Sequence, residues 1–500
     1  MGLVQRQSFW NTVIAYLGVA IGFVNAMILF PRFLDDDQVG LTRILQQAAV
    51  IFSQFAALGG NNICLRFFPF FRNQHKHDGF AFYTFRLTTI GCLVFAILIF
   101  IFKNYIVNYY DENSPLFVDY FLMLIPIGIA TTYFNLFDSH ARSVFRTIVP
   151  SFIKDVLLRL LITISISCYA LGWLNFESFV ILFVVMNSVI ALVLFLFLVA
   201  KKEIHIRAPI KISNMQRKEM LQYGFYSLIT GTSNILVITI DSLMIGAIMD
   251  NGLQNVAYYT TAAFLISLMT LPARSMEKIT YPLIAEFWKQ NQLEKINKLY
   301  KKVSVTNAVI CFMILILLWT NVRDLYSFLP APYSLGIICV LWLGIGRLID
   351  MMTGINSIII KTSEHYRYET LFNIIFTTMA VALNYFFIPL WGMQGAAIAT
   401  GISIVVFNLL KCGFIYFKIG LWPFEKNHFW IILLGSAVLI AGYYLPLNIE
   451  TDSWFIHAFN IGVRSLFALL VFALPVYLLK WSEDINEIVN KIFGKMFLKK

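Results

Sequence analysis

The chain has 500 residues, of which 59% are hydrophobic and only 13% charged. Soluble domains carry nearer ~25% charged residues, so an ordinary water-soluble fold is excluded. On so apolar a chain a formal charge of +11 points to orientation in a bilayer and not to nucleic acid.

Fourteen apolar stretches follow one another: Ser8–Phe30, Leu41–Gly60, Phe80–Phe102, Leu116–Leu136, Val149–Leu171, Phe176–Ala200, Gln222–Met249, Asn255–Leu271, Val303–Trp319, Tyr333–Ile360, Leu371–Leu390, Met393–Phe417, Phe429–Leu445 and Phe455–Leu479. Each has roughly the length a helix needs to cross a hydrocarbon core of ~30 Å. The first is too long for a signal peptide, and Pro31-Arg32 follows where a small-residue cleavage site would be needed. The prediction is an all-α polytopic membrane protein with fourteen transmembrane helices.

The loop charges alternate. With Met1–Gln7 inside, the inward loops, adjoining span ends and tails hold 29 of the 38 Lys and Arg, while the outward loops hold only Arg32, Lys103 and Arg323. The outward loops and their edges carry acids instead, among them Asp35, Asp36, Asp37, Asp111, Glu112, Asp250 and Asp324. Both termini are therefore expected on the cytoplasmic side.

The most polar linker, 201–221, separates six spans from the next six. The two sixes are weakly alike. Span five, Val149–Gly172, and span eleven, Tyr368–Gly392, each rise from a basic loop, end on Gly and lead at once into the next span. The expected organisation is an N-terminal lobe over 1–200, a C-terminal lobe over 222–418, two further spans over 429–479 and a cytoplasmic tail over 480–500. A parallel repeat of this kind relates the lobes by a pseudo-two-fold axis along the membrane normal. Between spans eight and nine, Leu293, Ile296, Leu299 and Tyr300 fall on one helical face and Glu294, Lys295, Lys298, Lys301 and Lys302 on the other. This predicts a short amphipathic helix over 292–302 lying on the anionic leaflet.

Ionisable residues within spans are costly and are functional candidates by default. Arg347 and Asp350 are three apart on span ten, and Asp155 and Arg159 four apart on span five, so each pair shares a face. Two readings stay open for them: a structural pair that neutralises itself, or an Arg lining a cavity and tuned by its Asp. Arg43, Gln46 and Gln47 form a polar stripe on span two; Asn25 on span one and Asn234 on span seven extend it, with Arg274 and Lys278 at its cytoplasmic end. Guanidinium groups bind phosphate oxygens in a bidentate fork, so this lining suits an anionic headgroup. The same side chains could instead only hold helices together. Asp241, beside Thr239 and Ser242, leads the candidates for sodium or proton coupling, with Asp350 and Asp155 behind it. No phosphate-binding glycine loop, metal-ligand spacing or Ser/His/Asp set is present, and the six cysteines have no paired spacing. No enzyme activity, metal or resident cofactor is expected.

The segments FPRFLDDDQVGLTRILQQAAV (30–50), LGGNNICLRFFPFF (58–71), ITIDSLMIGAIMDNGLQNVAYYTTA (238–262), YPLIAEFWKQN (281–291) and WGMQGAAIATGIS (391–403) resemble the polysaccharide-transporter branch of the multidrug/oligosaccharidyl-lipid/polysaccharide exporter superfamily, the Wzx-type flippases. The resemblance implies two six-helix lobes around a cationic cavity, alternating access and ion or proton coupling. The implied cargo is a polyprenyl-pyrophosphate-linked oligosaccharide of O-antigen, capsule or exopolysaccharide type, crossing a bacterial inner membrane. Anionic lipid and the polysaccharide polymerase and export machinery are the implied partners. A lipid II flippase and a small-molecule antiporter of the same superfamily remain alternatives.

Overall fold

The computed structural model describes residues 3–72, 77–204, 212–444 and 454–497, and every regular element among them is helical. The elements used below are α1 (Leu3–Phe23), α2 (Asp36–Ala56), α3 (His77–Tyr110), α4 (Leu124–Ser143), α5 (Leu158–Ala170), α6 (Phe176–Ala200), α7 (Asn214–Ile248), α8 (Gly252–Ser267), α9 (Thr270–Lys289), α10 (Leu293–Thr320), α11 (Ile337–Met352), α12 (Asn356–Thr362), α13 (Tyr366–Ile419), α14 (Lys426–Tyr443), α15 (Trp454–Ala468) and α16 (Glu483–Phe497). Among the described residues, eight helices are long and apolar enough to cross a membrane. A ninth span arises if α2 and the helix Gly60–Phe71, bent by 46°, count as one. This is a multi-pass membrane protein. The count is lower than fourteen partly because several apolar stretches are joined or broken. Stretches eleven and twelve run together in the 54-residue α13, and stretch eight is divided between α8 and α9.

Local chemistry sets the helix ends. Asp35 opens α2 with a capping box in which Gln38 Oε1 accepts from the Asp35 N–H at 3.2 Å. Asp36 and Asp37 fill the first turn, where the positive end of the helix dipole favours them. The acidic run is thus a helix start. Ser213 and Gln216 close the same kind of box on α7, and Asn175 Oδ1 accepts from the Ser178 N–H at 2.8 Å at the start of α6. Left-handed residues recur after matching stretches of the two halves. Phe145, Gly172 and Lys202 (φ 60°, 75° and 56°) follow stretches four, five and six; Gly392 and Gly420 (φ 59° and 80°) follow eleven and twelve, whereas Gly354 (φ 68°) interrupts stretch ten. At Gly392 the backbone (φ 59°, ψ −141°) breaks α13 into two apolar helices, a conformation only Gly adopts readily.

By contacts the chain divides into Met1–Ala257 and Tyr258–Lys500. In the first unit α2 packs on α4 and α7. Gln54 Nε2 donates to the Leu228 carbonyl at 3.2 Å, and Gly59 sits against the backbone of Gly224, leaving no room for a side chain. The seventh stretch therefore belongs to the same unit as stretches one to six and packs on the second and third. Little hydrophobic force drives helices together in lipid, so small residues that permit close approach matter more than in water.

In the second unit α10 is the central post and packs against α11 and α14. Gly435 and Gly442 of α14 rest on Phe312 and Thr320. The segment 292–302, for which the pattern predicts an interfacial helix, is continuous with the helix that follows. It forms the first turns of α10, with Ile296 and Tyr300 fully buried in a cluster with Ile284, Ile355 and Ile359. An apolar face of that spacing serves packing on protein as well as it serves lipid. The chain after α13 is tied to α10 at two levels. At one, Lys302 Nζ meets Asp484 of α16 at 2.7 Å. At the other, Asp324 just beyond α10 accepts from Arg464 of α15 and lies 2.8 Å from His457 Nδ1. Asp324 and Arg464 are both buried.

Removing one partner of a buried ion pair leaves a charge without compensation, at ~3–5 kcal/mol. Asp324→Ala is expected to lower the unfolding free energy in detergent by that order, and the unfolding midpoint with it. Asp324→Leu combined with Arg464→Met is expected to recover most of the loss. Unfolding midpoints of the three proteins check this, and a stable single variant would refute the pairing.

Candidate functional site: two polar seams

The first seam lies in the first unit, where α1 meets α5. The chain after α1 continues as a π-helical turn, Val24–Leu29. Such turns insert one extra residue and often mark functional positions. Asn25 sits in it, buried. Its Nδ2 donates to the Arg159 carbonyl at 2.9 Å and its Oδ1 accepts from Thr163 Oγ1 at 2.7 Å. The Arg159 guanidinium crosses to α1 and donates through Nη1 to the Gly18 carbonyl. It can do so because α1 carries glycine there: a Cβ on Gly22 would lie 2.5 Å from Nη1, and one on Gly18 would meet the Asp155 backbone. Asp155 itself lies in a second π turn, Ile153–Leu157. Two residues called from the sequence 134 positions apart, Asn25 and Arg159, are thus in direct contact.

The remaining candidates of this unit lie apart from that contact. Arg43 places its guanidinium 5.2 Å from the centre of the Phe30 ring. Gln46 and Gln47 are half-buried beside it on α2, and Gln47 Oε1 is buried without a hydrogen-bond partner among the described residues. Asp241 is buried on α7 with Thr239 and Ser242, where the Thr239 hydroxyl bonds back to the Ile235 carbonyl at 2.9 Å. Asn234 lies on α7 and, in the second unit, Arg274 and Lys278 lie on α9, but their side chains fall outside the described residues.

The second seam runs along α11, α12 and α13 in the second unit. Arg347 Nη1 donates to Asp350 Oδ2 at 2.8 Å, confirming the pair that the three-residue spacing predicts. The other carboxylate oxygen, Oδ1, accepts from Asn408 Nδ2 at 3.0 Å. Asn408 Oδ1 accepts in turn from Asn356 Nδ2 and Thr353 Oγ1, both at 2.9 Å. One turn further on α13, Lys411 Nζ donates to Ser357 Oγ at 2.6 Å and to Glu369 Oε1 at 2.9 Å. Lys361 approaches the same Glu369 oxygen at 3.5 Å. The Lys411 side chain is 0% exposed and that of Glu369 only 4%, while Lys361 is open to solvent.

Sequence reasoning finds Arg347 and Asp350 because they share a helix face. It misses Asn408, Lys411 and Glu369. Lys411 counts there as a basic residue near the end of a span, and its partner is 42 residues away. One signal was available: Asn408 and Lys411 are three apart, and both lie inside or at the edge of the apolar stretch Met393–Phe417. Among the described residues, no cluster of His, Cys, Asp and Glu has the makings of a metal site. What the seams offer chemically is guanidinium and ammonium donors set among carboxylates, amides and hydroxyls.

The fit of Arg159 against α1 gives a direct test. Gly22→Ala places a methyl group against the guanidinium and is expected to lower thermal stability. Gly413→Ala, where an added Cβ meets nothing within 4 Å, is expected to have little effect. Equal melting temperatures for the two variants would contradict the contact.

Comparison with known proteins gives this geometry a family. Residues 4–288, more than half of the chain, match the family described as polysaccharide biosynthesis protein. No curated protein sequence matches the chain. Among solved structures it is similar to the lipid II flippase MurJ in an inward closed conformation, with 14% identity and a TM-score of 0.72 over 93% of this chain and 98% of that one. It is also similar to an inward-facing multidrug resistance MATE family transporter of the MOP superfamily, with 17% identity and a TM-score of 0.61 over 85% of this chain and 95% of that one. A MOP superfamily transporter from Pyrococcus furiosus gives 15% identity and a TM-score of 0.55, with 87% and 96% covered. At such identities the likeness is one of fold. The chain belongs to the polysaccharide biosynthesis protein family and takes the fold shared by MurJ and the MATE transporters.

Proposed function

We propose that this protein flips a polyprenyl-pyrophosphate-linked oligosaccharide repeat unit from the cytoplasmic to the outer leaflet of a bacterial inner membrane. One observation carries the reading: a chain of a polysaccharide biosynthesis family folds, over 93% of its length, like a protein solved as a lipid II flippase. Lipid II and a lipid-linked repeat unit pose one physical problem. A sugar-bearing pyrophosphate sheds its hydration on entering hydrocarbon, at a cost that bars spontaneous crossing. Guanidinium groups held in the protein replace that hydration, and Arg159 and Arg347 are the residues assigned to this role. Arg43, Gln46, Gln47, Asn25 and Asn234 contribute further polar surface, with Arg274 and Lys278 at the entry. The bias of Lys and Arg toward alternate loops supports cytoplasmic termini. Transport proceeds by alternating access, in which the cargo shifts a pre-existing equilibrium only as far as its differential affinity allows. Asp241 is assigned to sodium or proton coupling, with Asp350 and Asp155 as further candidates.

Deletion of the gene is expected to leave a lipid-linked oligosaccharide accumulating on the cytoplasmic leaflet, identifiable by mass spectrometry of the lipid extract. Arg159→Ala and Arg347→Ala are each expected to reduce surface polysaccharide several-fold while the protein remains in the membrane at its normal level. Normal polymer in both variants would remove the assignment of these arginines. Asp241→Asn is expected to weaken gradient-driven transport; rates matching the parent protein across a range of pH and sodium would exclude Asp241 from coupling.

A further inference from the structure

Helix α11 does not run on into α12. It ends at Met352, the chain turns at Gly354 (φ 68°), and α12 begins at Asn356. A break inside a membrane protein frees backbone groups that neighbouring side chains must satisfy, and broken helices recur at transport sites. Here the break is held from two directions. On one side, Ser304 of α10 donates to the Met352 carbonyl while standing 2.9 Å from His428 Nε2 of α14. On the other, α13 contributes two buried side chains one turn apart. Asn408 engages Asp350 ahead of the break and Asn356 behind it. Lys411 engages Ser357, the next residue, and anchors it to Glu369.

The consequence falls on Arg347. Asp350 divides its two oxygens, Oδ2 to Arg347 and Oδ1 to Asn408. The carboxylate that orients the guanidinium is therefore itself oriented by Asn408. The Arg347 side chain keeps 32% of its surface exposed, and only Nη1 is used by Asp350. Among the described residues no other hydrogen bond from this guanidinium is seen, which leaves Nε and Nη2 as the donors that an anion could take. Asn408 and Lys411 are 1% and 0% exposed, so neither reaches a ligand directly.

We infer that Asn408 and Lys411 are positioning residues for the transported pyrophosphate. They hold Asp350 and the 353–355 break so that Arg347 presents its free donors in one orientation. This rests on the reading of Arg347 as a headgroup-binding residue given above. A guanidinium on a long, freely rotating side chain binds a doubly charged headgroup better when its orientation is fixed before binding, because less ordering remains to be done.

A double-mutant cycle tests this. The purified full-length chain is placed in lipid nanodiscs, and the binding of a polyprenyl pyrophosphate without sugars is measured for the parent protein, Asn408→Ala, Arg347→Ala and the combined variant. Residues acting through one another give losses that do not multiply. Each single variant is expected to bind about tenfold more weakly, and the combined variant no worse than Arg347→Ala alone. A merely structural Asn408 would lower thermal stability and leave affinity unchanged. If Asn408→Ala does not fold, the pair Lys411→Met and Glu369→Met takes its place in the cycle, since it removes both buried charges together and leaves only the exposed Lys361 without its carboxylate. Parent-like affinity in the Asn408 variant beside a weak Arg347 variant overturns the positioning role alone, as does a combined loss of about a hundredfold. Parent-like affinity in Arg347→Ala overturns both this inference and the assignment of Arg347 to the headgroup.

Discussion

Lys411 has no exposed surface and Glu369 almost none, and the two lie 2.9 Å apart in the interior of a helical unit. The pairing illustrates the constraint on which the whole molecule depends. A charge at mid-membrane costs ~2.5–3.5 kcal/mol even by insertion scales, so each intramembrane ion needs a partner, water or a cargo. Asp324 and Arg464 meet the constraint as a closed pair that fastens α15 to the end of α10. Lys411 and Glu369 meet it as a pair that also holds a helix break. Arg347 meets it through one nitrogen and keeps a third of its surface open. The same chemistry thus grades from closed pairs to a partly open one, and what separates the cases is how much of the cation remains uncovered.

Close packing lets these ions find each other. Gly18 and Gly22 bring α1 near enough to α5 for Arg159 to reach a backbone carbonyl. Gly435 and Gly442 do the same for α14 on α10, and Trp319 stacks on Tyr443 at 4.9 Å beside them. Each glycine trades conformational entropy for approach, which is favourable where dispersion contacts and polar pairs must replace the hydrophobic force.

The fold was legible in the sequence because hydropathy is a local property. Among the described residues the apolar stretches lie largely on helices, eight or nine of them long enough to span, and the Gly392 stop between stretches eleven and twelve appears as a positive-φ break inside α13. Arg347 and Asp350 were legible for the same reason, since one turn of helix brings them together. The rest depended on contacts between distant segments. Asn25 meets Arg159 across 134 residues and Lys411 meets Glu369 across 42, and no periodicity encodes either distance. Sorting charges by loop also concealed Lys411, because a buried lysine at the edge of a span and an orienting lysine in the next loop look alike in one dimension. The amphipathic pattern of 292–302 is satisfied in part by protein: Ile296 and Tyr300 pack in one cluster with Ile355 and Ile359, a contact that no local pattern encodes.

The central claim is that this chain moves a lipid-linked saccharide across the bilayer. The most direct test is transbilayer movement in vesicles containing only the purified protein and a labelled polyprenyl-pyrophosphate oligosaccharide, followed by the access of an impermeant sugar-modifying reagent. Label initially protected on the inner face is expected to become accessible much faster than in protein-free vesicles, and Arg347→Ala is expected to remove most of the acceleration. Protection that decays at the protein-free rate, with folded protein and an applied ion gradient both verified, would contradict it.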